Sequence, residues 1–332
     1  AIFSEGRILG TYDYVHNDHR IFTSTDDAHG AYCFSFIGGL LNNQYIGTST
    51  KSNFYLFQTE NNDGGSDRLQ EEFNLATALQ RCDQLGVDVV SISLGYYTFD
   101  VASENHDTSD MKKNNTPAAK AVNIAASKNI LVCVAAGNEG TSAWHYITTP
   151  ADADSAFAIA AVDKNGNVAP FSSYGLATDT RVKPNVAAVG WTANFVNTNG
   201  TVSSGNGTSF ACPSLAGMAT CLWQAFPTKT AWQIKTAIEQ SASKYLTPDK
   251  HVGYGIPDFK KAYQFLSTPT FVSNSKLENE IVLFPNPVKG NLIIQNKSLN
   301  NIQSVEIFNN VGQLISTETD FSSSEKIIPM NN

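Results

Sequence analysis

Apolar residues in the stretch 69–85 recur at near-helical spacing, with Phe73, Ala76, Leu79 and Leu85 on the repeat. The run stops at Gly86, a residue type that readily takes the positive φ found just past a helix end, so a helix is predicted over 69–85. Residues 87–94 follow as a mostly apolar, β-branched run, the composition of a strand buried on both faces. Pro117 opens a second predicted helix where its missing N–H costs nothing, with Ala118, Ala121, Val122 and Ala125 on one face. Residues 130–135, 156–162 and 186–189 read as further buried strands, and a long helix begins near Thr208. This alternation predicts an α/β fold, a parallel sheet with helices on both faces.

The pattern changes past Leu266. Residues 267–280 are rich in Ser, Thr, Pro and Asn, a linker composition. Beyond them the period becomes two, with short strands predicted at 281–284, 292–294, 305–308 and 313–315 and a turn at Asn309-Asn310-Val311-Gly312. The expected organisation is an α/β domain over 1–266, a linker over 267–280 and a small all-β module over 281–332.

Composition narrows the function classes. The 332 residues are 42% hydrophobic and 16% charged, which excludes a disordered or fibrous chain. A net charge of −8 without a Lys/Arg-dense face makes nucleic acid and anionic lipid poor partners. The longest apolar runs, 130–136 and 156–162, fall far short of the ~20 residues a membrane helix needs. The chain opens on Ala1-Ile2-Phe3, without Met, a basic segment or an apolar core, so a signal peptide is expected to have been removed or to lie outside these residues. Cys33, Cys82, Cys133, Cys212 and Cys221 form an odd, irregular set without a Cys-x-x-Cys pair, which speaks against a structural zinc and a disulfide scaffold.

Three segments carry candidate chemistry. In Gly205-Asn206-Gly207-Thr208-Ser209-Phe210-Ala211-Cys212-Pro213, Ser209 is expected at a helix N-terminus, with Pro213 in the first turn. There it is either an ordinary capping serine or a nucleophile whose own N–H helps bind an oxyanion. His29, in Asp26-Asp27-Ala28-His29-Gly30, precedes a largely apolar helical stretch over 31–41, and reads as a capping histidine or a general base. Asn138, in Ala135-Ala136-Gly137-Asn138-Glu139-Gly140, follows a buried strand at the end where open α/β sheets bind ligands; it is a turn residue or an oxyanion donor.

Taken in order, His29-Gly30, Ser93-Leu94-Gly95, the Ala135–Gly140 segment and the serine segment resemble the subtilisin-like serine protease (subtilase) family over about residues 6–266. Val252-Gly253-Tyr254-Gly255-Ile256-Pro257-Asp258 is similar to that family's closing segment. The resemblance implies a serine endopeptidase acting on peptide and protein substrates, with Ser209 as nucleophile, His29 as general base and Asn138 as oxyanion side chain. It also implies that Ser93, Leu94 and Gly95, with Ala135, Ala136 and Gly137, flank the substrate backbone as extended strands. Phe284-Pro285-Asn286-Pro287-Val288, Gly290 and the segment 305–312 resemble the sorting domain of type IX secretion cargo. That likeness implies export to the cell surface or medium by type IX machinery.

The departures are specific. His29-Gly30 is followed by Ala31 where the family has Thr. The family's Asp precedes its His by some thirty residues, so the triad aspartate and its strand are expected upstream of Ala1, and Asp13 is read as structural. The sorting module is likewise expected to be truncated. No cofactor is expected; Asn61, Asp63, Asp67 and Glu72 have partly calcium-loop spacing, but Ser66 stands where the loop needs Gly. His16 and His19 lack an indicated third ligand. A non-catalytic binding protein on the same scaffold is the alternative, whereas a serine esterase would need Gly-x-Ser-x-Gly and a His after the Ser.

Overall fold

The computed structural model describes residues 5–22, 28–61, 67–112, 114–267, 281–284, 290–296, 304–308, 314–319 and 325–330. The chain divides into two compact units, Ala1–Ser267 and Thr268–Asn332. The first runs β1 (Ile8–Asp13), α1 (His29–Gly38), β2 (Leu40–Leu41), β3 (Tyr45–Ile46), β4 (Phe54–Gln58), α2 (Leu69–Leu85), β5 (Val89–Ile92), α3 (Pro117–Ser127), β6 (Leu131–Ala135), β7 (Phe157–Val162), β8 (Val186–Val189), β9 (Ala193–Val196), β10 (Val202–Gly205), α4 (Thr208–Ala225), α5 (Ala231–Ser241) and α6 (Phe259–Ser267).

Strands β5, β6, β7 and β8 form a parallel sheet in that order, while β1 and β4 form a separate parallel pair. Among the described residues, β4 has only β1 as a neighbour and β5 has only β6. Side chains alternate between the sheet's two faces, as the strand period demands. Val132, Val134 and Ala158 pack with Leu75 and Leu79 of α2 and Val122 of α3. Leu131, Cys133, Ala135, Phe157 and Ile159 pack with Ala211, Leu215 and Leu222 of α4 and Ile234 and Ile238 of α5. Every residue of β6 and β7 is buried, which is why those segments read as unbroken apolar runs.

Local chemistry sets the ends. Thr116 caps α3 by accepting the Ala119 N–H at 3.1 Å, with Pro117 at the first helical position. Gly86, at φ 68°, ends α2, and the Val87 N–H turns back to the Cys82 carbonyl at 3.0 Å, so β5 starts at Val89 and not at Val87. Helix α1 stops at Gly38, short of Leu41: Gly39 is extended, and Leu40–Leu41 pairs with Tyr45–Ile46. A Cβ at residue 39 would lie 2.5 Å from the Ser35 carbonyl oxygen, so only glycine passes there. Pro213 is inside α4, its sixth residue, and not in the first turn.

The second unit has an antiparallel sheet of β11 (Ile281–Phe284), β12 (Gly290–Asn296) and β15 (Glu325–Met330), and an antiparallel pair of β13 (Val305–Phe308) and β14 (Leu314–Glu318). Ile294 and Ile328 are buried. The expected turn at 309–312 and residues 268–280 of the expected 267–280 linker lie outside the described residues, while Ser267 is the last residue of α6 and not linker.

Candidate active site

Helix α4 starts where the hairpin β9–β10 returns to the sheet. Gly207 is its N-cap, and a Cβ there would come within 2.7 Å of the Ser209 hydroxyl, so space for that hydroxyl depends on glycine. Thr208 and Ser209 are the first two helical residues, and first-turn N–H groups have no carbonyl of their own helix to pair with. The Thr208 N–H instead donates to Asn138 Oδ1 at 2.9 Å, and the Thr208 hydroxyl donates to the same oxygen at 3.1 Å. A backbone N–H can only donate, which identifies the anchored atom as the amide oxygen and leaves the Asn138 amino group as the donor for the cleft. The Gly137 N–H donates to Thr208 Oγ1 at 3.2 Å, closing the strand end onto the helix. Gly137 itself sits at φ 108°, where a side chain would be strained and would also approach Ser173 Oγ to 2.8 Å.

These groups surround a cavity of about 110 Å³ lined by Ser93, Leu94, Gly95, Ala135, Gly137, Asn138, Glu139, Thr148, Thr208 and Ser209. Nine residues are singled out in the sequence. Seven line the cavity, namely Ser93, Leu94, Gly95, Ala135, Gly137, Asn138 and Ser209. His29 stands outside the lining, at the first turn of α1, its Nε2 3.5 Å from Cys33 Sγ. That thiol also donates to the Ser209 carbonyl at 3.2 Å, so one sulfur touches both His29 and the Ser209 backbone. Ala136 is the ninth: its side chain is fully buried in the core, and it contributes its carbonyl to the Thr148 N–H at 3.3 Å.

Sequence reasoning passed over Thr148, Thr208 as a positioning group, Glu139 and Cys33. Thr208 and Glu139 lie inside quoted motifs, whereas Thr148 is flagged by nothing local. Cys212, within the serine motif, is buried and its thiol is pushed up to about 12 by desolvation, so it stays protonated and non-nucleophilic at neutral pH. Asp13 ends β1 and is buried; its carboxylate accepts the Val15 and His16 N–H groups at 2.8 and 3.1 Å and pairs with the His16 ring at 2.8 Å. His19 Nδ1 lies 2.6 Å from the Thr11 carbonyl. Glu72 is held by His106 and by the Ala118 N–H, and Asp63 lies outside the described residues. Among the described residues no cluster of three or more metal-ligating side chains occurs.

A sequence profile of the subtilase family matches residues 6–255, and one of a secretion system C-terminal sorting domain matches residues 282–332. Thermitase of Thermoactinomyces vulgaris is 30% identical over 263 residues, covering 78% of this chain and 82% of the relative. Subtilisin DY of Bacillus licheniformis is 26% identical over 266 residues, 80% of this chain and 87% of the relative. Among solved structures, the prenylagaramide maturation protease PagA superposes with a TM-score of 0.60 at 22% identity, over 78% of this chain and 86% of that one. Sphericase gives 0.58 at 23% identity, over 75% and 84%. The chain belongs to the subtilase family. It is a serine-type endopeptidase with a C-terminal sorting domain that directs export to the cell surface or medium. No helix among the described residues is long and apolar enough to cross a membrane.

Proposed function

We propose that peptide hydrolysis runs through an acyl-enzyme on Ser209. His29 takes the Ser209 proton as Oγ attacks the substrate carbonyl carbon, then gives it to the leaving amine; water attacks the ester by the same proton path and releases Ser209. The Asn138 amino group and the Ser209 N–H hold the oxyanion, while Ser93–Gly95 and Ala135–Gly137 flank the substrate backbone. The observation that carries this reading is the double anchoring of Asn138 Oδ1 by Thr208, which fixes the amide so that its donor side serves the cavity beside Ser209.

Among the described residues β4 and β5 each have one edge without a neighbouring strand, which supports a strand laid along one of them as the source of the carboxylate that steadies His29. The residues 1–266 then form the peptidase domain, 267–280 a linker and 281–332 the sorting module, with the type IX secretion machinery as the module's partner. The test is a fluorophosphonate probe, which is expected to label the protein at Ser209. Labelling that survives Ser209→Ala places the nucleophile elsewhere.

A further inference from the structure

Residues 93–95 lie just past the end of β5 at Ile92, and Leu94 and Gly95 make no backbone hydrogen bond to another segment among the described residues. Their N–H and C=O groups are open to an extended peptide, and main-chain bonds of that kind carry affinity only if the segment is held in register. Its register is set from the two ends. At one end the Ser93 hydroxyl donates to the Ser209 carbonyl at 2.9 Å.

Tyr96 holds the other end. Its backbone exchanges hydrogen bonds of 2.8 and 3.2 Å with Thr149, its buried ring stacks on Phe99 at 6.2 Å, and its hydroxyl donates to Glu60 Oε1 at 2.6 Å. Burial pushes that hydroxyl well above its ordinary pKa, so it keeps its proton and stays the donor. Glu60 stands two residues past the end of β4 at Gln58, and the same Oε1 takes the Thr59 hydroxyl at 3.2 Å. The Thr59 carbonyl in turn accepts the Asn74 amide of α2 at 3.0 Å. Strands β4 and β5 belong to different sheets, so the Tyr96–Glu60 bond joins their carboxyl ends, the side on which α/β sheets bind ligands. Phenylalanine would fill the same space as Tyr96. The hydroxyl adds direction, because it ties the tip of the ring to a residue anchored on another element.

We propose that Tyr96 and Glu60 are positioning residues: their bond holds the backbone of Leu94 and Gly95 in register with an extended substrate, and so raises affinity for peptides that reach along this segment on the acyl side of the cleaved bond. Neither residue touches the reacting atoms. The proposal rests on the reading of residues 93–95 as a substrate-flanking segment.

The test compares the thiobenzyl esters of acetyl-tetraalanine and acetyl-alanine with the full chain. The wild type is expected to show a KM at least about tenfold lower for the longer ester. Tyr96→Phe should raise that KM about tenfold, hold kcat within about twofold and leave the shorter ester unchanged. Glu60→Gln keeps an acceptor oxygen and should stay close to wild type, whereas Glu60→Leu should match Tyr96→Phe. Tyr96→Phe removes one oxygen and keeps the ring, so its reading stands whether or not Glu60→Leu folds. A purely structural role would lower both esters alike; that result, or no change in either, overturns the proposal, as does Glu60→Gln falling with Glu60→Leu. Calorimetric binding of acetyl-tetraalanine amide to Ser209→Ala, with and without Tyr96→Phe, separates this role from the Ser209 chemistry. Affinity about tenfold lower with Tyr96→Phe, and no ester hydrolysis by the wild type, sinks the chemistry and sustains the positioning role. Equal affinity sinks the positioning role.

Discussion

Pro213 removes the helical partner of the Ser209 carbonyl. It lies four residues after Ser209 inside α4 and carries no N–H, so the usual i to i+4 bond is missing. The freed oxygen accepts the Ser93 hydroxyl at 2.9 Å and the Cys33 thiol at 3.2 Å. An irregularity in one helix thus ties the Ser209 backbone to the segment after β5 and to α1. Ser93→Ala leaves that carbonyl with the weak thiol donor alone, and is expected to lower stability by about 1–2 kcal/mol and kcat by roughly tenfold. Thermal unfolding and steady-state kinetics on one preparation read both. Unchanged kcat would make the contact purely structural.

Thr208 acts through Asn138. Asn138→Ala removes the proposed oxyanion donor, and for subtilisin itself such a loss is ~10²–10³ in kcat. Thr208→Val removes one of the two bonds that orient the amide and the acceptor for the Gly137 N–H, so kcat should fall by about tenfold while KM changes little. Thr208→Ser should restore most of the loss. Failure of Ser to rescue would point to packing of the Thr methyl.

Asp13 and the carboxylate proposed to steady His29 are separable by magnitude. The loss of the aspartate in subtilisin costs ~3 × 10⁴ in kcat. Asp13 is engaged by its own turn and by His16, so Asp13→Asn is expected to lower stability and change kcat by less than about tenfold. A loss of several thousandfold in a folded variant would make Asp13 the partner of His29.

A buried carboxyl, Asp152, and a half-buried one, Glu60, work against stability at neutral pH. Burial raises Asp152 to about 6, the nearby Thr149, Lys183 and Arg181 offsetting only part of it, and neither carboxyl oxygen has a hydrogen-bond partner among the described residues. Burial likewise raises Glu60 to about 7, against the Tyr96 hydroxyl that bonds it. A raised pKa means the folded state holds the proton more tightly. The stabilisation is full below the unfolded pKa and disappears as pH rises through the folded one, from about 4 to 6 for Asp152 and from about 4.5 to 7 for Glu60. Asp152→Asn and Glu60→Gln should therefore stabilise the fold more at pH 8 than at pH 4.5, by up to on the order of 3 kcal/mol for Asp152, read as a larger rise in melting temperature at the higher pH. Equal effects at both pH values would rule out titration as the cause.

Periodicity and turn chemistry, both local properties, already determined the helices α2, α3 and α4 and the strands β6, β7 and β8. Each has an apolar face or a capping residue that acts within a few positions of itself. The serine and asparagine segments were legible for the same reason, because backbone geometry demands glycine at Gly137 and a Cβ at Gly207 would crowd the Ser209 hydroxyl. The polar strands β9 and β10 and the edge strands β1 and β4 were not, since their pairing depends on partners remote in sequence. Only the tertiary structure decided that Thr208 anchors Asn138 seventy residues away, that the carbonyl freed by Pro213 is taken by Ser93 and Cys33, and that Thr148 lines the cavity. Such contacts follow from which segments the parallel sheet lays side by side, and residue spacing along the chain carries no record of that distance.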